Sequence, residues 1–500
     1  MATVDGTDPE ETFMIPAQCD VAVVGAGPSG LMVATELALA GADVVVLERR
    51  GEPALPRAGT LASRVLEIFD SRGLADPVLT RAFELHEDPR ATVGIWAGFH
   101  GVRFDRIDST FPYVLMFAQM EVERILAARA TELGARIVRL AAVTGLTQHD
   151  DHVRVEVEQT GGPATIEARY VVGADGANST IRRAAGIGWH GQEADRTAVN
   201  VDAELDFPFP DPVTVTNDLN GWGLAYPLRK GVTRFGLIDA VASYEGRDVP
   251  VTLEQAKHML RRIYGRDFGI ESAKISRFHN AMFQAAAMRD RRVLLVGESV
   301  RVHYPASGVG MNFCLQDAFN LGWKLAATVR GWGAADLLDS YEAERRPEIE
   351  RLLDDVRRQC AVQFEFSPEM LALKRMIEGE LIPVPDVNRL LAENLSGISA
   401  RYLPASPAAP PVVGRRLRDF VLDDGVPLFH RLREQRFLLL TTGERPDELP
   451  DQVRAEPLRR MPDSLTGFDA VLLRPDGHIA AAAAGSLDRA EIDRWFAKRA

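Results

Sequence analysis

The chain has 500 residues, 46% of them hydrophobic and 26% charged, the balance of a globular protein with room for about three domains. Its formal net charge of -13 argues against nucleic acid as a partner, because phosphate binding needs a basic face. No long uninterrupted apolar run occurs, so no helical membrane span is expected.

The first residues, "MATVDGTDPEETFMIPAQ", lack the basic start and apolar core of a secretory signal and predict a disordered tail over 1–18. "CDVAVVGAGPSGLMVATELALAGADVVVLER" follows. "VAVV" predicts a strand covered on both faces. Gly25, Gly27 and Gly30 then make GxGxxG: the first glycine for a tight turn, the second to admit a pyrophosphate to the backbone, the third for close packing of helix on strand. A helix from about Ser29 to Ala40 would aim its N-terminal N–H groups at that phosphate. The second strand ends at Glu48, followed by Arg49, where a carboxylate can accept both ribose hydroxyls of an adenosine. Strands on both sides and an acidic terminus make this a dinucleotide site rather than a plain glycine-rich turn.

Farther on, "ATVGIWAGFHGVRFDRI" (91–107) predicts strands. "ARYVVGADGANSTIRRAAGI" (168–187) gives a strand stopping at Gly-Ala-Asp-Gly, with a helix beginning near Ser179. "TAVNVDAELDF", "VTVTND" and "GWGLAYPLRKGVTRFGLIDA" alternate as strands do, the last pair turning at Arg229-Lys230-Gly231. Thr252 is a cap candidate for one amphipathic helix after them. "RRVLLVGES" makes a third strand end, and "GVGMNFCLQDAFNLGWKLAATVRG" its following helix, with Met311, Leu315, Phe319, Trp323 and Leu325 near helical spacing. Three strand ends on one ligand exceed what NAD needs. Helix extends past Pro347, "LPASPAAPPVVG" (403–414) reads as a linker, and the rest reads as strand, strand–turn–strand at Pro475-Asp476-Gly477, and helix. Cys19, Cys314 and Cys360 are the only cysteines and the ten histidines are scattered. No disulfide framework, dithiol chemistry or metal site is expected, and a reduced cytoplasmic compartment is.

Together these blocks resemble the aromatic-ring hydroxylases of the para-hydroxybenzoate hydroxylase fold, single-component flavoprotein monooxygenases, from about residue 19 to 350. Within that family "VLERRGEPALPRAGTLASRVLEIFDSRGL" and "QMEVERILAARATELGA" are similar to the bacterial aromatic polyketide hydroxylases. The resemblance implies an α/β fold: a Rossmann-type FAD-binding domain in three parts (19–75, 116–189 and 286–402, the last with long helices), an inserted β-rich substrate domain in two (76–115 and 190–285), and a linker with a thioredoxin-like domain (403–500). It implies that Gly25, Gly27, Ser29, Gly30, Glu48, Arg49, Arg57, Gln119 and Val143 line FAD, that Asp175 belongs to a DG motif between FAD and an entering nicotinamide cofactor, and that Pro305, Gly308, Gly310, Met311 and Asn312 lie beside the flavin ring.

That resemblance also exposes departures. The family has Gly-Asp, then Ala-Ala-His, where this chain has Gly297-Glu298, then Ser299-Val300-Arg301. Glu298 keeps an acceptor for the flavin ribityl chain, displaced by about 1.5 Å, one C–C bond. Arg301 reads as an ion pair or a surface group before an anion contact. Val309 and Ser307 depart from the glycine-and-glutamine pattern that the resemblance implies for this loop but leave Gly308 and Gly310.

Trp96, Phe99, Trp222, Tyr226, Phe235 and Tyr304 are the aromatic candidates for the substrate pocket, although core packing is the commoner fate of each. His303 is a structural histidine before it is a proton shuttle, and no catalytic residue is assigned. The implied activity is insertion of one oxygen atom from O2 into a polycyclic aromatic, polyketide-like substrate through the flavin C4a-hydroperoxide, a tailoring step of antibiotic biosynthesis. NADPH or NADH would reduce FAD transiently, since a second dinucleotide fingerprint is missing; a separate flavin reductase is the alternative. Hydroxylation, Baeyer–Villiger insertion, oxidative rearrangement and antibiotic inactivation all fit that chemistry. A dehydrogenase or redox-neutral cyclase using FAD, and a polyketide-binding protein without flavin, are the competing classes. A monomer or homodimer is expected.

Overall fold

The β-branched run near the N-terminus forms the middle of a parallel sheet. In this computed structural model, residues 15–52, 58–211, 213–241, 244–246, 249–404, 406–443 and 448–498 are described. β1 (Gln18–Val24) passes through the glycine turn into α1 (Pro28–Leu39), and β2 (Val44–Glu48) returns parallel to β1. Pro28 opens α1, where its missing N–H costs nothing because first-turn N–H groups have no helical acceptor. α2 (Gln119–Glu132) leads to β3 (Arg136–Arg139), parallel to β2. β4 (Ala141–Gln148) and β5 (Val153–Gln159) form a meander onto β6 (Gly162–Gly173), whose second half runs parallel to β1. α3 (Thr180–Ala184) begins after the cap Ser179.

An antiparallel sheet follows: β7 (Thr197–Glu204), β8 (Thr214–Asp218), β9 (Gly221–Arg229), β10 (Val232–Asp239) and β11 (Ala273–His279), in spatial order β8-β9-β10-β7-β11. α4 (Leu253–Tyr264) crosses one face, opened by a capping box between Thr252 and Gln255 and closed by Gly265 at φ 70. Strand alternation sorts this sheet's side chains. Val199, Val201, Ala225, Phe235 and Leu237 pack beneath α4. The opposite face carries Ala198, Trp222 and Ile238, which join a second cluster.

β12 (Val293–Leu295) returns to the parallel sheet beside β6, giving the order β3-β2-β1-β6-β12. The next helix, α5 (Gly310–Val329), is buried nearly all round, more than its apolar spacing alone requires, because α1 and the later α6 (Asp339–Gln363) flank it. α6 runs through Pro347 without ending. α7 (Pro368–Met376) continues into a π-helical turn over Ile377–Leu381, and α8 (Pro385–Ser396) follows.

The C-terminal part is a four-stranded sheet, order β14-β13-β15-β16, from β13 (Phe437–Thr441), β14 (Val453–Pro457), β15 (Ala470–Leu473) and β16 (Ile479–Ala483). β14 is a strand that its charged sequence concealed, and the final helix spans only Arg489–Asp493. The β15–β16 turn inserts buried polar groups into the rest of the molecule. Arg64 Nη2 donates to Asp476 O at 2.9 Å, Arg72 Nη2 to Pro475 O at 3.0 Å, and Trp323 Nε1 to Asp476 Oδ2 at 3.2 Å. Arg474 reaches Glu344 at 2.6 Å, and Lys324 reaches the same carboxylate at 2.7 Å.

Candidate functional site

The C-terminal ends of β1, β6 and β12 meet, as open α/β sheets require for a ligand crevice. At β1, Gly25 has φ +106, and a Cβ there would lie 2.5 Å from Ala174 O; a Cβ on Gly30 would lie 2.0 Å from Gly25 O. Backbone fills the space in which side chains would stand. Gly27 is the opposite: a Cβ there would meet nothing within 4 Å. The open side of the turn therefore sits at the N-terminus of α1, where first-turn N–H groups can receive a phosphate.

At the end of β2, the Glu48 carboxylate accepts from Ala26 N at 2.8 Å and from Arg50 N and Nε at 2.9 Å. Burial opposes its charge, but these donors outweigh burial and hold the carboxyl below its ordinary range. Arg49 is exposed, and Arg50, which the sequence reading passed over, is the arginine on Glu48. Val143 lies on β4, half-buried against the main core. Gln119 opens α2, its amide donating to Glu123 Oε1 at 2.8 Å. Arg57 lies outside the described residues.

At the end of β6, Asp175 caps α3, accepting from Ser179 Oγ at 2.5 Å and Thr180 N at 2.6 Å. After β12, Gly297 at φ +69 stands over Ser29, whose Oγ is 2.5 Å from the position of a Cβ there. The Glu298 carboxylate is solvent-exposed, with Oε2 4.0 Å from where a Gly176 Cβ would stand. First turn, DG motif and third strand end thus form one rim. Pro305 and Gly308 are exposed just before α5, a bare backbone ledge at the positive end of a 20-residue helix. An open phosphate turn, a ribose carboxylate and a flat ledge fit FAD.

The FAD binding domain family matches residues 18–379, and the aromatic-ring hydroxylase C-terminal family matches 410–498. The chain belongs to the FAD-dependent aromatic-ring monooxygenases. It is 38% identical over 488 residues to a 12-dehydrotetracycline 5-monooxygenase/anhydrotetracycline 6-monooxygenase of Streptomyces rimosus, covering 93% of this chain and 95% of that one. To a rifampicin monooxygenase of Streptomyces venezuelae it is 38% identical over 466 residues, covering 92% and 94%. The solved anhydrotetracycline hydroxylase OxyS of Streptomyces rimosus superposes with a TM-score of 0.84 at 36% identity, over 97% of this chain and all of that one.

Within this monooxygenase the unusual loop residues have local explanations. Arg301 is buried in an ion pair with Asp317, whose other oxygen takes Arg345 Nε at 2.7 Å. One carboxylate thus sits between two guanidiniums. Ser307 sits at φ 50, a conformation that favours glycine, and its hydroxyl donates to Gln359 Oε1 at 2.7 Å. Gln359 Oε1 also accepts Ala97 N at 2.9 Å, so the serine fastens the hairpin of Val93–Trp96 and Phe99–Arg103 to the ledge. Asn312 turns inward: Oδ1 accepts Ala62 N at 2.7 Å and Nδ2 donates to Thr60 O at 3.1 Å. Met311 and Gly310 are its neighbours in the first turn of α5. His303 Nδ1 lies 2.7 Å from Tyr304 O. Burial, and then the charge of Arg301, lower its pKa to about 4, so it is a neutral imidazole at pH 7.

Beside the ledge, one apolar cluster joins Trp222 and Ile238 of the antiparallel sheet to Tyr304, Ala306 and Val309 of the loop. Trp96 packs on it, with Nε1 donating to Asp355 Oδ1 at 3.1 Å. Tyr226 shares the Trp222 face by register, near the Arg234–Asp202 pair. Phe99 belongs to a small neighbouring cluster with Ala97 and Ile382. Phe235 must be struck from the pocket candidates: its odd place in β10 turns it under α4. Phe278, tilted against Tyr304 with ring centroids 5.6 Å apart, and Phe364, edge-on to it at 5.1 Å, were missed because nothing local distinguishes them from core aromatics.

Proposed function

We propose that this chain is an NAD(P)H-driven monooxygenase that inserts one oxygen atom from O2 into a polycyclic aromatic, polyketide-like compound, as a tailoring or antibiotic-modifying step. The observation that carries the reading is the bare ledge Pro305–Gly308 opening beside the apolar cluster of Trp222 and Tyr304. Bound FAD, once reduced, supplies the oxygen-activating chemistry. The chain's own part is to hold and orient. The open side of the Gly27 turn and the Glu48 carboxylate take the adenosine diphosphate half; Glu298 and Asp175 border the ribityl and nicotinamide side. The first-turn N–H groups of α5 present partial positive charge to the ring edge at the ledge. The aromatic walls exclude water and favour a flat, extended ring system. The relatives named for tetracycline and rifampicin substrates support the substrate class.

Visible absorption of the purified protein, before and after NADPH without oxygen, tests this. Flavin peaks that bleach are expected, followed by NADPH-dependent oxygen uptake that rises with a polycyclic phenol or quinone. A protein that cannot be loaded with FAD, or whose flavin NAD(P)H does not reduce, overturns the reading.

A further inference from the structure

Between the β8–β9 turn and α7 lies a cavity of about 340 Å³, lined by Phe99, Asn217, Leu371, Lys374 and Arg375 among others, a size that takes part of a drug-sized molecule. Lys374 is only 3% exposed. Among the described residues it forms no ion pair; its ammonium donates to Asn217 Oδ1 at 3.0 Å and stands 4.2 Å from the Phe366 ring centroid. Lys324 makes the contrast plain: it is equally buried but has Glu344 at 2.7 Å. A buried cation with only neutral partners is costly unless something else balances it.

A second, separate observation points the same way. Asn217 Nδ2 is buried without a hydrogen-bond partner. Its orientation is fixed, since the ammonium can only donate and so demands the amide oxygen. The site therefore holds N–H donors from two residues that bond to no carboxylate among the described residues, the Asn217 Nδ2 donor to nothing at all. Asn217 pairs with Trp222 across β8 and β9 and so shares the sheet face that meets the ledge cluster, while Phe99 and Leu371 supply apolar wall. Asp218 and Glu378 also line the cavity, and Glu365 acts on the lysine from farther off.

We propose that Lys374 and Asn217 form a subsite for an anionic oxygen (phenolate, enolate or carboxylate) carried by the aromatic substrate. This rests on the monooxygenase reading for its occupant. It adds that the substrate enters as an acid-bearing polycycle, recognised at the edge of the sheet away from the flavin ledge.

The test uses FAD-loaded full-length protein and two flat probes, anthraquinone-2-carboxylate and anthraquinone-2-carboxamide, titrated by quenching of tryptophan fluorescence. The wild type should bind the carboxylate at least about 10-fold tighter, the scale of one charge-assisted hydrogen bond in a desolvated site. Lys374→Met should abolish the preference and Lys374→Arg should keep part of it. Asn217→Asp, which hands the lysine an internal counter-ion, should abolish it with the lysine still present. Thermal melts identify which variants are folded. Equal binding of the two probes by the wild type, or an undiminished preference in folded Lys374→Met or Asn217→Asp, overturns the proposal. Flavin bleaching by NADPH is read on the same samples, so failure of the monooxygenase reading shows there and not in the probe ratio.

Discussion

The glycine turn after β1 and the loop before α5 serve the same ligand by opposite means. In the first, geometry comes from absent side chains: Gly30 and Gly25 touch backbone to backbone, and only Gly27 faces open space. In the second, geometry comes from side chains that reach far along the chain. Ser307 finds Gln359, Arg301 finds Asp317 and Arg345, and Asn312 finds the backbone near Thr60. The first solution tolerates almost no substitution and needs no partner. The second depends on each side chain keeping its distant partner, so a change at either end of a pair should be felt at the ledge.

The difference can be broken most forcefully at Gly30. Gly30→Ala drives a methyl into Gly25 O and is expected to cost more than about 4 kcal/mol, with loss of both FAD and cooperative unfolding. Gly27→Ala is its control: denaturant midpoints of the flavin-free protein should move by less than about 0.5 kcal/mol while FAD affinity falls. In the polar loop the largest effect belongs to Asp317→Asn, which leaves two buried guanidiniums without their counter-charge and should cost about 3–5 kcal/mol in urea unfolding.

Acid comes next. The His303 pKa is depressed in the folded protein to about 4 from 6.5, so the unfolded chain binds the extra proton first. Its contribution to stability is complete above pH 6.5 and is lost as pH falls from 6.5 towards 4. Allowing for partial exposure, His303→Gln should remove about 1–2 kcal/mol of that slope, read as the pH dependence of the melting temperature. Smallest is Ser307: Ser307→Ala keeps the left-handed backbone and loses the bond to Gln359, about 1 kcal/mol. Ser307→Gly trades that loss against relief of strain and should fall within about 0.5 kcal/mol of wild type. A larger effect of Gly than of Ala would contradict the account of the loop.

The same contrast explains what was legible beforehand. The β1–α1–β2 unit, the capped α4 and the strand before the DG motif announce themselves within short windows, because their causes are local: β-branched runs, glycines and the Thr252 cap. Which face a β10 side chain occupies depends on register with β9 and β7, so Phe235 could be listed but not oriented. Arg301 could be weighed as an ion pair without its partner being named, since Asp317 lies on a helix whose rotation is fixed only by packing against α1 and α6. Lys374 carried no signal at all. It sits in an ordinary amphipathic stretch, and its burial without an ion pair among the described residues exists only once α7 lies against β8.

The turn at Pro475–His478 bears on how the molecule comes into being. A ribosome making this chain finishes the flavin-binding sheet long before it makes the turn; Lys324 then already has Glu344 and Arg72 has Glu36, but Arg64 and Arg72 still lack the carbonyl acceptors of Asp476 and Pro475. A nascent chain halted near residue 402 would leave N–H groups of Arg64, Arg72 and Trp323 without these acceptors, to be met by water where the turn belongs. The last fifth of the chain thus completes hydrogen bonds begun by side chains of the first four fifths, and is a working part of that interior rather than an appendage to it.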